Sequence, residues 1–267
     1  MMNMAVFDNY FTNKYSIEDN VCILDNDDKY TKNFGKQWKK YRNVQIDSLN
    51  NFNISENFLD NLLFKNTNIL KNKTVLEVGC GAGRFTEHIV KLAKTCVSVD
   101  LSSAIFFNVS KDNRNLCLIK ADILKLISKE KFDIVICRGM IQHTPNPYKT
   151  ILKLFDFIDK NGQIYFDVYP KPKIGFFHPK YFLWRPFFQK LIKYEKMENF
   201  LNNNIRYLLK IKRIFKKILF NNNFLSDCLV PIWDYHNRLN LDKYELEKWS
   251  ILDTLDGLYA QFDNPLS

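Results

Sequence analysis

A doubly wound, mostly parallel α/β sheet is the fold class that this 267-residue sequence predicts. Three observations carry the prediction. Five apolar, β-branched runs alternate with helix-like segments between residues 74 and 168. Three glycines, Gly79, Gly81 and Gly83, break the chain directly after the first run, and the residues with chemical potential fall just beyond the ends of runs. Such alternation buries a parallel sheet under helices on both faces. Right-handed crossovers then bring the strand C-termini to one edge, where ligands bind.

Residues 1–28 are polar and aperiodic, and no structure is expected there. Beyond them Tyr30, Phe34, Trp38 and Tyr41 fall at helical spacing and form one aromatic stripe. The stripe either packs on the main domain or covers a ligand pocket. A second helix is expected over 54–68, with Phe58, Leu59, Leu62, Leu63 and Phe64 on one face. The alternation then begins with a strand at 74–78 and a helix at 84–94 that carries Phe85, Ile89, Val90 and Leu92. A strand at 96–100 ends on Asp100 and leads into a weak helix at 102–110. The strand at 116–120 is closed by Ala121-Asp122, and a short helix follows at 123–128. A strand at 132–137, a helix at 147–158, a Lys160-Asn161-Gly162 turn and a fifth strand at 163–168 complete the series.

Past Val168 the alternation stops. Residues 170–200 are dense in aromatics and proline, and 205–220 form a basic amphipathic helix. Arg206, Lys210, Arg213 and Lys217 take one face of it; Leu208, Ile211, Phe215 and Ile218 take the other. That helix suits an anionic membrane surface or an ordinary packed surface. A last helix is expected over 242–255. The division is an N-terminal extension or helical cap (1–70), a core (71–169), and a helical insertion with the C-terminal segment (170–267).

A 46% hydrophobic, 25% charged composition belongs to a globular chain, and 23 Phe, 13 Tyr and 4 Trp make it aromatic. A net charge of +10 favours an anionic partner such as nucleic acid, a membrane surface or a phosphorylated substrate; a general lysine excess accounts for it equally. The six cysteines form no CxxC pair and fall mostly in strands, as small buried thiols of a reducing compartment do. No metal site is expected. The sequence shows no basic-then-apolar leader and no apolar run of the ~18 residues that span a bilayer, so the expected location is cytoplasmic.

The glycine spacing argues against a dinucleotide. A dinucleotide fingerprint reads G-x-G-x-x-G, whereas here it is G-x-G-x-G followed by Arg84. The segment Glu77-Val78-Gly79-Cys80-Gly81-Ala82-Gly83 resembles the first motif of the class I S-adenosylmethionine-dependent methyltransferases. Asp100, Ala121-Asp122 and Phe132-Asp133-Ile134-Val135 match later motifs in order, so that the resemblance covers residues 73–168. It implies a Rossmann-like methyltransferase fold in which Glu77, Gly79, Cys80, Gly81, Gly83, Asp100, Leu101, Asp122, Ile123 and Arg138 hold S-adenosyl-L-methionine. Asp100 would accept from the ribose hydroxyls and Asp122 from the adenine amino group. Both are also plausible helix N-caps, and Glu77 is either a structural carboxylate or a cofactor contact.

The loop Arg138-Gly139-Met140-Ile141-Gln142-His143-Thr144-Pro145 resembles the family's post-strand loop with a His-Thr-Pro core, beside the transferred methyl. His143 is the candidate general base, or else a residue that orders the loop.

Phe34-Gly35-Lys36-Gln37-Trp38 with Gln45-Ile46-Asp47-Ser48, and Leu252-Asp253-Thr254-Leu255-Asp256-Gly257-Leu258 with Phe262-Asp263-Asn264-Pro265, resemble terminal signatures of methyltransferases found with bacterial surface-polysaccharide and nucleotide-sugar genes. That resemblance implies a small-molecule or saccharide acceptor methylated at oxygen. It also implies a cap in which Tyr169, His178, Trp184, Asp234, Tyr235, His236 and Arg238 are candidates to line the acceptor pocket. An RNA methyltransferase and a catalytically silent scaffold are the alternatives. The family sheet normally gains a further helix and hairpin, so either Phe224 to Trp233 provides a strand or the last helix and hairpin are missing. In the second case the fifth strand becomes an apolar edge for a partner or oligomer contact to cover.

Overall fold

The structure, a computed structural model, describes residues 2–170, 183–236 and 241–266. It divides into one unit of residues 1–169 with 262–267 and a second of residues 170–261.

The first unit is built on seven strands: β1 (Ser16–Glu18), β2 (Val21–Ile23), β3 (Thr74–Val78), β4 (Thr95–Asp100), β5 (Leu116–Lys120), β6 (Phe132–Cys137) and β7 (Ile158–Phe166). Their order is β1-β2-β5-β4-β3-β6-β7, and only the β1–β2 pair is antiparallel. The chain winds from β3 outward to β4 and β5, then returns to place β6 on the other side of β3. The reversal makes a crevice beyond the ends of β3 and β6, the usual ligand position in such sheets.

Strand residues alternate between two cores. Leu76, Val97, Cys117 and Val135 face one, with Phe7, Phe11, Leu154 and Phe157. Val75, Cys96, Leu118 and Ile134 face the other, with Leu59, Leu63, Phe85 and Ile89. Helices α1 (Met2–Tyr10), α4 (Ile54–Leu62), α5 (Thr86–Ile89) and α6 (Pro147–Leu154) contribute to these cores, and α2 (Lys32–Gln45) and α3 (Asp47–Asn50) complete the helices of this unit. All six cysteines are free, and five are buried.

The N-terminal segment departs from expectation. Residues expected to be without structure form α1 and the β1–β2 hairpin, so the extension is not only a helical cap but part of the sheet. Phe7 and Phe11 are buried to 0% and 2% exposure; at about 2–3 kcal/mol for each fully buried ring, two aromatics suffice to dock a polar segment. The hairpin turns at Asp19 and Asn20, both at positive φ (46° and 64°), as a two-residue loop with matching twist requires. The Lys160-Asn161-Gly162 turn expected before the fifth strand lies instead inside β7, where the pairing skips from Phe132↔Ile158 to Ile134↔Gln163. Among the described residues β7 ends the sheet.

The second unit contains α7 (Arg185–Leu191), α8 (Tyr194–Ile218), α9 (Asn223–Leu229) and α10 (Lys243–Tyr259). Residues 224–233 carry no strand. The buried face of α8 is Tyr194, Met197, Leu201, Ile205, Leu209 and Lys212, whereas Ile211 and Ile218, on the apolar face read from the sequence, are 42% and 63% exposed. Arg185 donates to the carbonyls of Gly257 (3.2 Å) and Ala260 (2.5 Å), where a cation meets the negative end of α10.

Candidate active site

The turn after β3 is fixed from above and below. The amides of Gly79 and Cys80 donate to the Val99 carbonyl at 2.8 and 3.3 Å. Gly79 lies at φ +83° and Gly83 at +97°, a backbone region that side chains disfavour. A Cβ on Gly79 would stand 2.7 Å from the Met140 Cβ, and one on Gly83 2.5 Å from the Asn108 Oδ1. The glycines therefore set both the path of the turn and its close approach to the loop after β6.

Glu77 sits beneath this turn at 2% exposure. Its Oε2 accepts from Thr86 Oγ1 (2.6 Å) and Ser98 Oγ (2.7 Å), and Asn108 Nδ2 continues the chain to Thr86 Oγ1 (3.2 Å). Its Oε1 is buried with no hydrogen-bond partner among the described residues. Burial pushes the Glu77 pKa up to about 7, against the pull of the two hydroxyl bonds.

The raised pKa predicts a pH dependence. Folded Glu77 keeps a proton between about pH 4.5 and 7 that the unfolded chain has released. Stability therefore falls as the pH rises through that window, by about 3 kcal/mol in all. Chemical denaturation from pH 4.5 to 8 measures the slope. Glu77→Gln is expected to flatten it, and an unchanged slope in that variant would clear Glu77 of the effect.

Asp100 closes β4 and ties the turn to the next loop. One carboxylate oxygen accepts from the Gly81 amide (2.7 Å); the other accepts from the Ser102 amide (2.7 Å) and hydroxyl (2.6 Å). Burial raises its pKa in spite of these donors. Leu101 is buried beside it, as is Cys80 in the turn. Asp122 follows β5 and caps the short helix Ile123–Lys125 by accepting from the Leu124 amide at 3.1 Å; Ile123 is buried.

Arg138 begins the loop after β6. It pairs with Asp167 at 3.6 Å and lies over the rings of Phe58 (4.8 Å) and Phe85 (5.2 Å), and burial lowers its pKa. Those partners make it a bridge between β6, β7 and α4.

The aromatic stripe of α2 and the 3₁₀ turn before it runs along this edge. Tyr30 meets Phe262 with centroids 5.3 Å apart, and Phe34 meets His143 at 5.1 Å. Trp38 lies over Gly81, its ring 3.5 Å from where a Cβ would stand.

His143 is 7% exposed in a 3₁₀ turn, Ile141–His143, between Phe34 and Tyr169. Its Nδ1 stands 3.1 Å from the Phe262 carbonyl oxygen. A carbonyl oxygen only accepts, so Nδ1 carries the proton and Nε2 the basic lone pair. The same segment is laced on by Asn264, whose amide donates to the Gln142 carbonyl (2.8 Å) and whose Nδ2 donates to the Thr144 carbonyl (2.9 Å). Leu266 then bonds back to the Tyr169 carbonyl (2.9 Å).

The sequence singled out Phe262-Asp263-Asn264-Pro265 without indicating this contact, which joins residues 119 positions apart. Thr86, Ser98 and Asn108, which support Glu77, carried no sequence signal beyond being polar within apolar runs. Of the residues suggested for an acceptor pocket, His178 and Arg238 lie outside the described residues. Within the second unit Trp184 donates to the Cys228 carbonyl (3.0 Å), Asp234 is paired with Arg213, Tyr235 donates to Asp253, and the His236 amide donates to Asp234.

A switch-point crevice with a glycine turn, and carboxylates closing β4 and β5, defines an α/β protein that grips a nucleotide-like cofactor. The chain belongs to the methyltransferase-domain family, whose sequence model matches residues 52–207, more than half of its length. A ubiquinone biosynthesis O-methyltransferase of Pseudomonas fluorescens (strain SBW25) is 31% identical over 106 residues, covering 36% of this chain and 44% of that protein. One of Hydrogenovibrio crunogenus is 26% identical over 149 residues, covering 48% and 62%. The chain thus spans about half the length of the curated relatives it matches. Among solved structures, the N-methyltransferase NodS of Bradyrhizobium japonicum WM9 in complex with S-adenosyl-L-homocysteine aligns with a TM-score of 0.43. It is 17% identical over 52% of this chain and 75% of that one. No helix among the described residues is long and apolar enough to cross a membrane.

Proposed function

We propose that this chain is an S-adenosylmethionine-dependent methyltransferase acting at oxygen on a small-molecule acceptor. One observation carries the reading. Beneath a turn of positive-φ glycines lies a buried carboxylate with one oxygen lacking a partner, Glu77 Oε1. An ammonium group in the crevice would satisfy that oxygen, and the methionine end of the cofactor carries one. Asp100 fits the ribose, because a carboxylate offers about four lone-pair sites and three donors are present. Asp122, the carboxylate that caps the short helix after β5, is the residue assigned to the adenine amino group.

Bound there, S-adenosylmethionine would supply a sulfonium methyl group that passes to the acceptor oxygen as S-adenosylhomocysteine leaves. The chain's part is to position the reactants, exclude water and take a proton from a hydroxyl acceptor. His143 Nε2 is the basic atom assigned to that proton, oriented by the Nδ1 bond to Phe262. The names of the O-methyltransferase relatives support oxygen as the acceptor atom. A saccharide hydroxyl is the particular acceptor that the two terminal signatures suggest.

Calorimetric titration of the intact chain with S-adenosylmethionine tests the cofactor assignment, and absence of binding overturns it. With labelled cofactor and a panel of phenolic and saccharide hydroxyl acceptors, His143→Ala is expected to lower turnover by about 100-fold while cofactor affinity holds. Equal turnover in variant and parent removes the base.

A further inference from the structure

We propose that the second unit holds a binding site for a phosphate group carried on a larger molecule, apart from the glycine turn. The end of α8, α9 and residues 231–236 enclose a cavity of about 660 Å³. That volume is within the ~300–1,000 Å³ range of small-molecule sites and larger than a bare phosphate needs. Four cations of α8 line it, Lys212, Arg213, Lys216 and Lys217, against two carboxylates, Asp227 and Asp234.

The charges are arranged in two layers. Lys212, 8% exposed, is bound to Asp227 Oδ1 at 2.5 Å and to the Ile232 carbonyl. Arg213 makes a two-pronged pair with Asp234 at 2.8 and 2.9 Å. Both acids are therefore engaged by the inner cations. Lys216 and Lys217, one turn further along, have no acidic partner among the described residues, and no Asp or Glu occurs between Glu198 and Asp227. The cavity keeps a net charge of 4 − 2 = +2 before His236 is considered.

Lysines near a helix C-terminus offset its dipole at the surface. Here, however, they line a concavity whose low-dielectric walls concentrate their field. Two ammonium groups beside the amides of Asn221 and Asn223 suit a dianion, and the Trp233 and Tyr235 rings wall the remaining space. Phosphate chemistry meets these terms from two sources, a soluble phosphate ester or a lipid headgroup. Ile214, Ile218 and Phe220, exposed by 57%, 63% and 96% on the same stretch, are the apolar companions that a headgroup's bilayer would bury.

The test uses the full chain. Inorganic pyrophosphate is titrated while tryptophan fluorescence and heat are followed, and sedimentation with phosphatidylglycerol vesicles is compared with phosphatidylcholine vesicles. A Lys216→Gln/Lys217→Gln variant is run in parallel. Neither lysine makes a side-chain hydrogen bond or ion pair among the described residues, so the variant's melting temperature is expected to match the parent's. Saturable pyrophosphate binding that weakens at least about tenfold in the variant supports the site with a soluble source. Sedimentation with the anionic vesicles alone, lost in the variant, supports it with a lipid source. Binding to neither probe, or binding that the variant retains, overturns the proposal.

Discussion

Asp100→Ala is expected to weaken S-adenosylmethionine binding by at least about 100-fold, since two hydrogen bonds to a charged group contribute about 1.5–3 kcal/mol each. The carboxylate has a double task. It holds the Gly81 amide and Ser102, which shape the crevice, and under the proposed function its remaining lone pairs meet the ribose hydroxyls. Calorimetry measures the loss. Asp100→Asn, which keeps one accepting oxygen, is expected to fall between parent and alanine. Alanine affinity within about threefold of the parent would mean that Asp100 only shapes the backbone.

Gly79→Ala is expected to cost the fold about 3 kcal/mol, from a left-handed φ and a forced contact with Met140. The two causes separate in a companion substitution. Gly139 also has positive φ, +68°, but a Cβ there meets nothing within 4 Å. Gly139→Ala should therefore show only the backbone cost, about 1 kcal/mol. Urea denaturation of the pair reads the difference; equal losses would show that the Met140 contact yields freely.

The parallel core was legible because its physics is local. Each strand from β3 to β6 is five or six mostly apolar residues, followed by a helix or turn that the sequence punctuates with glycine, aspartate or proline. The hairpin was illegible for the opposite reason. Its strands have three residues each, too few for a period to appear, and the Asp19-Asn20 turn signal had no flanking pattern to support it.

Helix α8 misled in another way. It carries apolar residues around much of its circumference, and which face is buried depends on the neighbouring helices, above all α10, rather than on α8 itself. At the candidate site, the residues assigned to the proposed cofactor came from their resemblance to family motifs. The orientation of His143 did not, because the Phe262 carbonyl that sets its tautomer is remote in sequence.

That remote contact bears on the timing of biogenesis. During synthesis the sheet from β1 to β7 emerges first, and residues 170–261 must follow before Phe262 and Asn264 can reach the loop that carries His143. Domains generally fold as they emerge, N-terminal first. A nascent chain stopped anywhere in the second unit would therefore possess the glycine turn and Asp100 but not an oriented His143. Under the proposed function, competence to hold a cofactor would be acquired early on the ribosome, and competence to use it only with the arrival of residues 262–266.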